Sequence, residues 1–201
     1  MSIYEDTIKY YNSNAQKFMK DTHSVDFKSL QNNFHGRLLA PAHLLDFGCG
    51  SGRDTKYFLD HGYTVDAIDG SEEMCKLATE YTGIQVKHML FQQLDEHEKY
   101  DGIWACSSIL HLPILELESV LNKMSAALKP HGIIYISFKY GTFEGERNGR
   151  YFIDMTEETF AVLLKRIPTL TLEEQWISSD VRPGRGDEKW LNLILQKLNI
   201  H

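Results

Sequence analysis

"LLDFGCGSGRD", residues Leu44 to Asp54, is the stretch whose reading decides the fold. Apolar residues on either side of Asp46 read as a buried strand. Three glycines, Gly48, Gly50 and Gly52, then alternate with other residues before a charged helix begins. A strand that ends in a glycine-rich turn and opens a helix is where α/β proteins hold ligands. The helix start offers free amides, and glycine removes the Cβ that would keep a ligand away from them. A dinucleotide fingerprint, G-x-G-x-x-G, would need its third glycine at position 53. That position is Arg53 and the third glycine comes one residue early, so the pattern is G-x-G-x-G.

Upstream, "IYEDTIKYYNSNAQKFM" places Ile3, Thr7, Ile8, Tyr11, Ala15 and Phe18 near one helical face, and "DFKSLQNNFHGRLL" suggests a second helix. Downstream, short apolar runs alternate with helical stretches. The pattern predicts strands at about 43–47, 64–68, 85–89, 101–106 and 132–138. Helices fit at about 52–61, 71–81 and 114–128, with a short turn of helix near 92–95. Such alternation implies a parallel sheet wound with right-handed crossovers. After the fifth strand the rhythm breaks. "GTFEGERNGR" (141–150) reads as a polar loop, and "TEETFAVLLKRI" as a helix with Thr156 at its N-cap and Glu157 and Glu158 set against its dipole. "TLTLEEQWIS" and "KWLNLILQKL" read as strands joined by the turn-rich "SDVRPGRGD", which would add an antiparallel edge. No repeat, low-complexity tract or linker interrupts the chain. A single domain over 1–201 is expected, with 1–40 as a helical lid and 41–201 as the sheet core.

The G-x-G-x-G pattern, with Asp46 two residues upstream, resembles motif I of class I S-adenosylmethionine-dependent methyltransferases. "TVDAIDGS" puts Asp69 at the end of the second strand, where that family's acidic residue binds both ribose hydroxyls. "ALKPHGIIYIS" is similar to the family's Leu-Lys-Pro-Gly-Gly lead into the fifth strand, with His131 in place of the first glycine. "YYNSNAQKF" resembles the Tyr-containing N-terminal helix that covers the cofactor in small-molecule members. These matches run from about residue 10 to 138. The tail, with "SFKYGTFEGERNGRYF" and "DVRPGRGDEKWLN", looks like a small bacterial subgroup described as tellurite-resistance-like or uncharacterised methyltransferases. The resemblance implies an α/β fold: a Rossmann-like, doubly wound seven-stranded sheet in order 3-2-1-4-5-7-6, its last strand antiparallel, with an N-terminal helical lid. It implies S-adenosyl-L-methionine as cofactor and methyl transfer to a small-molecule acceptor of unknown identity. A non-catalytic S-adenosylmethionine-binding module is an alternative, as is a nicotinamide-dependent oxidoreductase, which Arg53 disfavours.

Carried onto this chain, the cofactor site comprises Tyr11 from the first helix and Asp46, Gly48, Cys49, Gly50 and Arg53 around the first turn. Asp69, Gly70, Ser71 and Met74 follow at the second turn, Leu90 and Phe91 after the third strand, and Cys106 and Ser107 at the end of the fourth. Asp69 suits two ribose hydroxyls as a charged acceptor, with the helix N-cap left to Ser71. Arg53 either binds the cofactor's carboxylate or is solvated. Cys49 reads as a packing residue and not a nucleophile. Many family members carry an acidic residue after the third strand to read the adenine amino group. Leu90 and Phe91 stand there instead, which leaves adenine to the backbone near Phe91, to apolar contact and to Gln92.

The fourth strand ends in "IWACSSILHLP". It lacks the Pro-Pro motif of adenine-N6 and glutamine-N5 enzymes, the carboxylates of metal-dependent catechol enzymes and the Pro-Cys of cytosine-C5 enzymes. His111 is the candidate general base, with a pKa suited to neutral pH, or else a residue that caps or packs the 114–128 helix. Tyr10, Tyr11 and Tyr151 are candidate lid contacts. Lys139, Arg147, Arg150, Arg182 and Arg185 form either a cationic rim for an anionic substrate or scattered surface charge. No metal site is expected.

Composition sets outer limits. With 42% hydrophobic and 24% charged residues in 201, the chain reads as soluble and globular. A formal charge of −7 speaks against an extended nucleic-acid surface. No apolar run nears the roughly 18 residues needed to cross a bilayer. "MSIYEDTIKY" has neither the basic nor the apolar region of a signal peptide. Cys49, Cys75 and Cys106 form no CxxC pair, which suggests reduced thiols in a cytoplasm. The expected partner is a small-molecule substrate, with no nucleic acid and no membrane, in a monomer or homodimer. The "RGD" from Arg185 to Asp187 reads as a charged hairpin turn.

Overall fold

Strands covered on both faces run apolar without alternation, and the central segments of this chain do so. The structure, a computed structural model, describes residues 3–182 and 184–199; the side chain of Ile3, placed above on a helix face, lies outside what is described. Five strands pair in parallel: β1 (His43–Phe47), β2 (Thr64–Asp69), β3 (Lys87–His88), β4 (Tyr100–Ala105) and β5 (Leu128–Lys139). A separate hairpin follows, β6 (Glu144–Arg147) and β7 (Arg150–Ile153), and then β8 (Leu170–Ser179) and β9 (Lys189–Lys197). The seven-stranded sheet has the order β3-β2-β1-β4-β5-β9-β8, with β9 antiparallel to both neighbours. This is the expected topology, the extra hairpin shifting only the last two numbers.

Among the described residues six α-helices accompany the sheet: α1 (Ile3–Thr22), α2 (Lys28–His35), α3 (Arg53–Asp60), α4 (Glu72–Thr82), α5 (Ile114–Ala127) and α6 (Glu157–Leu164). Successive strand residues point to opposite faces, so neighbours in sequence enter different cores. Leu45 and Ile103 pack with Leu117, Val120 and Leu121 of α5. Leu44 and Trp104 pack with Phe34 of α2, Phe58 of α3 and Tyr135 of β5. Trp104 lies flat on Tyr135 with ring centroids 4.1 Å apart. Burial of each such side chain stabilises the sheet by roughly 1.5–3 kcal/mol.

Sheet register places the site. Phe47 of β1 pairs with Ile68 of β2, so both strands end at one level. The amides of Gly48 and Cys49 then donate to the Ile68 carbonyl at 3.0 and 2.9 Å, which clips the glycine turn to β2. Helix α4 begins where expected: Ser71 is its N-cap, accepting from the Met74 amide at 3.2 Å. Thr156 likewise caps α6.

The structure differs from the sequence reading in four places. The third strand shrinks to Lys87–His88, and α2 is shorter than the 26–39 pattern that suggested it. The fifth strand starts at Leu128, with a register irregularity opposite Tyr100 and Gly102. The polar 141–150 segment is not a loop. Its Asn148-Gly149 pair takes φ of 55° and 74°, as a two-residue hairpin turn needs, so β6 and β7 pair around it. The hairpin leans on the first helix, where the Tyr151 amide donates to Thr7 Oγ1 at 2.9 Å. No described helix is long and apolar enough to cross a membrane.

Candidate functional site

A cavity opens at the carboxyl ends of β1, β2 and β4, beneath α1 and the β7 and β8–β9 ends. Of the expected site residues, Tyr11, Gly48, Cys49, Gly50, Arg53, Asp69, Gly70, Ser71, Met74, Leu90, Phe91, Cys106, Ser107 and His111 all line it. Asp46 is not among its lining residues. It is buried behind the turn, where it accepts from Thr55 Oγ1 at 2.5 Å. Burial, and then the charge of Asp54, push its carboxyl up to about 8. Asp46 therefore supports the turn from below.

The three glycines do different jobs. A Cβ on Gly48 would lie 2.4 Å from Ser108 Cβ, and one on Gly52 2.8 Å from Thr82 Cγ2, so both serve the close packing of neighbouring elements. A Cβ on Gly50 would meet only the Phe18 ring, at 3.6 Å. Gly50 is thus where the backbone lies open to the cavity. Its amide donates to Asp69 Oδ2 at 2.9 Å, while the Ser71 amide donates to Asp69 Oδ1 at 2.8 Å. Each carboxylate oxygen accepts two hydrogen bonds, so one site per oxygen remains for a ligand. Burial raises the Asp69 carboxyl, against the pull of the Ser71 and Gly50 amides. Two adjacent acceptors held rigidly at a cavity wall fit a vicinal diol.

Arg53 is not solvated. Its Nε and Nη2 donate to Asp54 at 2.9 and 2.8 Å, and its guanidinium lies 3.6 Å above the Phe27 ring. Asp54 also accepts from Gln31 Nε2 at 2.7 Å and Trp104 Nε1 at 2.9 Å. Burial works against its charge, but Arg53 and these donors hold its carboxyl below the ordinary range. Ser71 Oγ donates to Asn12 Oδ1 at 2.7 Å and so ties α1 to the start of α4. Gln92, a candidate adenine partner, donates its amide to Glu116 instead. Phe91 packs on Phe47 with centroids 4.7 Å apart.

At the end of β4, the Ser107 amide donates to Ser137 Oγ at 2.9 Å. Burial pushes the Cys106 thiol up to about 12, and that of Cys49 well above its ordinary value, so neither is a ready nucleophile. His111 closes a short 3-10 turn after β4. Its Nδ1 lies 2.6 Å from the Tyr151 carbonyl, which can only accept, so Nδ1 carries the proton. The Nε2 lone pair then receives the Tyr11 hydroxyl at 2.9 Å. Burial, with a smaller push from Arg150 and against the Tyr151 bond, lowers the imidazole to about 4. The pKa near neutrality expected from the sequence is not met, because burial of the ring penalises the cation. His111 does not cap α5 either, since Pro113 occupies the N-cap.

Of the candidate lid tyrosines only Tyr11 lines the cavity. Tyr151 turns its hydroxyl to Glu144 at 2.5 Å and contributes its carbonyl, while Tyr10 stacks on Arg150 at 4.4 Å. Most rim cations are paired: Lys139 with Glu188, Arg182 with Asp180, Arg185 with Glu188 at 3.7 Å, and Arg147 with Asp154 at 2.8 Å. The segment from Arg185 to Asp187 is part of the β8–β9 connection, as expected. Lining residues with no local signal in the sequence include Asp54, Tyr135, Ser137, Asp180 and Asn192. The fold gathers them from α3, β5, β9 and the residue that follows β8. Among the described residues, no group of three or more His, Cys, Asp or Glu is placed to hold a metal ion.

Residues 44–132 match the family model described as a methyltransferase domain. The architecture is the Rossmann-like methyltransferase fold. In sequence, the chain is similar to the N-terminal Xaa-Pro-Lys N-methyltransferase 1-B of Xenopus laevis, 36% identical over 100 residues, 46% of this chain and 45% of that one. The chain spans about half the length of the curated relatives it matches. In structure, it is similar to the 1,6-didemethyltoxoflavin-N1-methyltransferase of Burkholderia thailandensis, solved with S-adenosylhomocysteine bound. The TM-score is 0.78 at 24% identity, over 99% of this chain and 92% of that one. It is also similar to the [4+2]-cyclase SpnF, with a TM-score of 0.72 at 14% identity over 96% and 95% of the two chains.

Proposed function

We propose that this chain, acting as one domain, transfers the methyl group of S-adenosylmethionine to a small-molecule acceptor. The carrying observation is Asp69, fixed by the Gly50 and Ser71 amides with one acceptor site left on each oxygen, at the wall where Gly50 leaves the backbone open. That pair of acceptors suits the ribose diol, with Gly70, Met74, Leu90 and Phe91 available for the adenosine. The family-model match over 44–132 and the motifs of the first 138 residues support the same reading. The tail motifs favour the bacterial tellurite-resistance-like subgroup, and three free cysteines are in keeping with a cytoplasmic setting.

When bound, S-adenosylmethionine supplies a methyl group already activated on a sulfonium, so the chain need provide no nucleophile. Its own work is alignment and exclusion of water, which can contribute several kcal/mol. Held by Asp69 and the open backbone at Gly50, the cofactor would give that methyl to a lone pair of the acceptor and would itself leave as a neutral thioether. Where the accepting atom carries a proton, His111 takes it at Nε2, directly or through the Tyr11 hydroxyl, because Nδ1–H is held by the Tyr151 carbonyl. The low basicity of His111 suits a proton that leaves late, after positive charge has built on the acceptor.

Calorimetry with S-adenosylmethionine, S-adenosylhomocysteine and NAD tests the cofactor assignment. Binding of the first two without NAD is expected, and NAD binding alone would overturn it. Turnover against a metabolite panel separates an enzyme from a module that only binds the cofactor.

A further inference from the structure

Among the described residues, five cationic side chains line the cavity: Arg53, Lys139, Arg150, Arg182 and Arg185. Four of them face a carboxylate: Arg53 on Asp54, Lys139 and Arg185 on Glu188, and Arg182 on Asp180. Arg150 has no carboxylate partner among the described residues. Its Nη1 reaches Tyr11 Oη at 3.3 Å, long for a charged donor, and its Nε is buried with no hydrogen-bond partner. The rings of Tyr10, Phe152 and Tyr11 flank the guanidinium at 4.4, 5.0 and 5.7 Å. Arg150 is half-buried, and the ring faces beside it satisfy none of its N–H donors, so these donors remain available to an anion.

We infer that Arg150 holds an anionic oxygen group, carboxylate or phosphate, carried by the methyl acceptor; the acceptor assignment rests on the methyl-transfer reading above. Arg150 stands on β7 among groups of the acceptor half: Tyr11 of α1, Phe152, and His111, whose ring lies 4.7 Å from that of Phe152. The glycine turn and Asp69 belong to β1 and β2, and none of their groups bonds to Arg150. A planar fork of donors matches a carboxylate or phosphate edge-on, and the aromatic flanks leave room for an apolar or ring-bearing body beside it. The anionic group is a handle and need not be the atom that is methylated.

The test titrates the protein loaded with S-adenosylhomocysteine with benzoate, phenyl phosphate and the neutral benzamide. At least one anion is expected to bind about tenfold or more tightly than benzamide. Which of the two does so identifies the oxyanion. Arg150→Gln should erase that preference, Arg150→Lys should keep part of it, and S-adenosylhomocysteine affinity should stay within about threefold in both variants. Equal binding of all three probes, or a preference that survives in Arg150→Gln, would overturn the inference. So would a tenfold or larger loss of S-adenosylhomocysteine affinity in Arg150→Gln, since Arg150 would then serve the cofactor's own carboxylate. If the wild type takes up no S-adenosylhomocysteine, the methyl-transfer reading fails by itself. The same titration on the unloaded protein, judged by the same criteria, then decides the anion site.

Discussion

In the cavity half formed by residues 48–54 and 69–74, the glycine turn and Asp69 are held by backbone groups, while the Arg53–Asp54 pair is held by the Gln31 and Trp104 side chains. The Gly48 and Cys49 amides bind the Ile68 carbonyl, and the Gly50 and Ser71 amides bind Asp69. In the half formed by Tyr11, His111 and Arg150, side chains hold one another across long stretches of chain. Tyr11 and His111 stand 100 residues apart in sequence, and Tyr11 and Arg150 stand 139 apart. Backbone anchors tolerate side-chain change, so one local motif can serve a common cofactor. Side-chain networks do not, because losing one member leaves its partners unpaired.

The sharpest break between the halves concerns His111→Gln. If Nε2 accepts the acceptor's proton, the single-turnover rate should fall by roughly 10²–10⁴-fold while cofactor affinity stays near normal. The low-pH limb of the wild-type rate, expected near about 4, should vanish with it. An unchanged rate would remove His111 from proton transfer and leave alignment as the acceptor half's contribution. On the cofactor side the next effect falls on stability. Gly48→Ala adds a Cβ 2.4 Å from Ser108 Cβ at a φ of 86°, so strain and overpacking together should cost roughly 2–5 kcal/mol in denaturant unfolding. Gly50→Ala has space near Phe18 and should lose cofactor affinity more than stability, which separates the packing glycine from the open one. Asp69→Ala should weaken S-adenosylhomocysteine binding by about 1–3 kcal/mol by calorimetry. Full affinity in a folded variant would reduce Asp69 to a clip for the turn.

How much was legible in advance follows the same division. Asp69 and Gly50 stand out because each sits in a short motif at a strand end, whereas the sheet order came with the family resemblance. Arg150 could not be told from Arg182 or Lys139 by sequence, since what distinguishes it is the carboxylate partner it lacks among the described residues. Lys139 finds Glu188 across β5 and β9, a pairing only the sheet reveals. The pKa expected for His111 failed for a similar reason. Burial under Tyr11 and Phe152 is a product of the β7 hairpin docking on α1, and that hairpin was read as a loop. The hairpin does carry a local signal, since Asn148-Gly149 is a two-residue hairpin turn sequence.

The last effect is one of sign, and it sets the two halves against each other. His111 has a folded pKa lowered to about 4, so between that value and its ordinary one near 6.5 the unfolded chain binds the proton better. Its contribution to stability is therefore complete above about pH 6.5 and is lost as pH falls toward 4. Asp46 is displaced the other way, up to about 8, so there the folded chain binds the proton better. Its contribution is complete below the ordinary carboxylate value and is lost as pH rises toward 8. Each group can impose a slope of at most about 1.4 kcal/mol per pH unit, and between pH 4 and 6.5 the two slopes oppose. Denaturant unfolding across pH 4–8 should therefore separate the variants. His111→Gln should lose stability steadily as pH rises, relative to wild type, through the acidic range. Asp46→Asn should instead gain on wild type as pH rises, most clearly between 6.5 and 8, where His111 no longer contributes. Parallel pH profiles for both variants and wild type would show that neither burial displaces its group, and the proton-accepting role assigned to a dry His111 would then have to be rebuilt for an imidazole that ionises near neutrality.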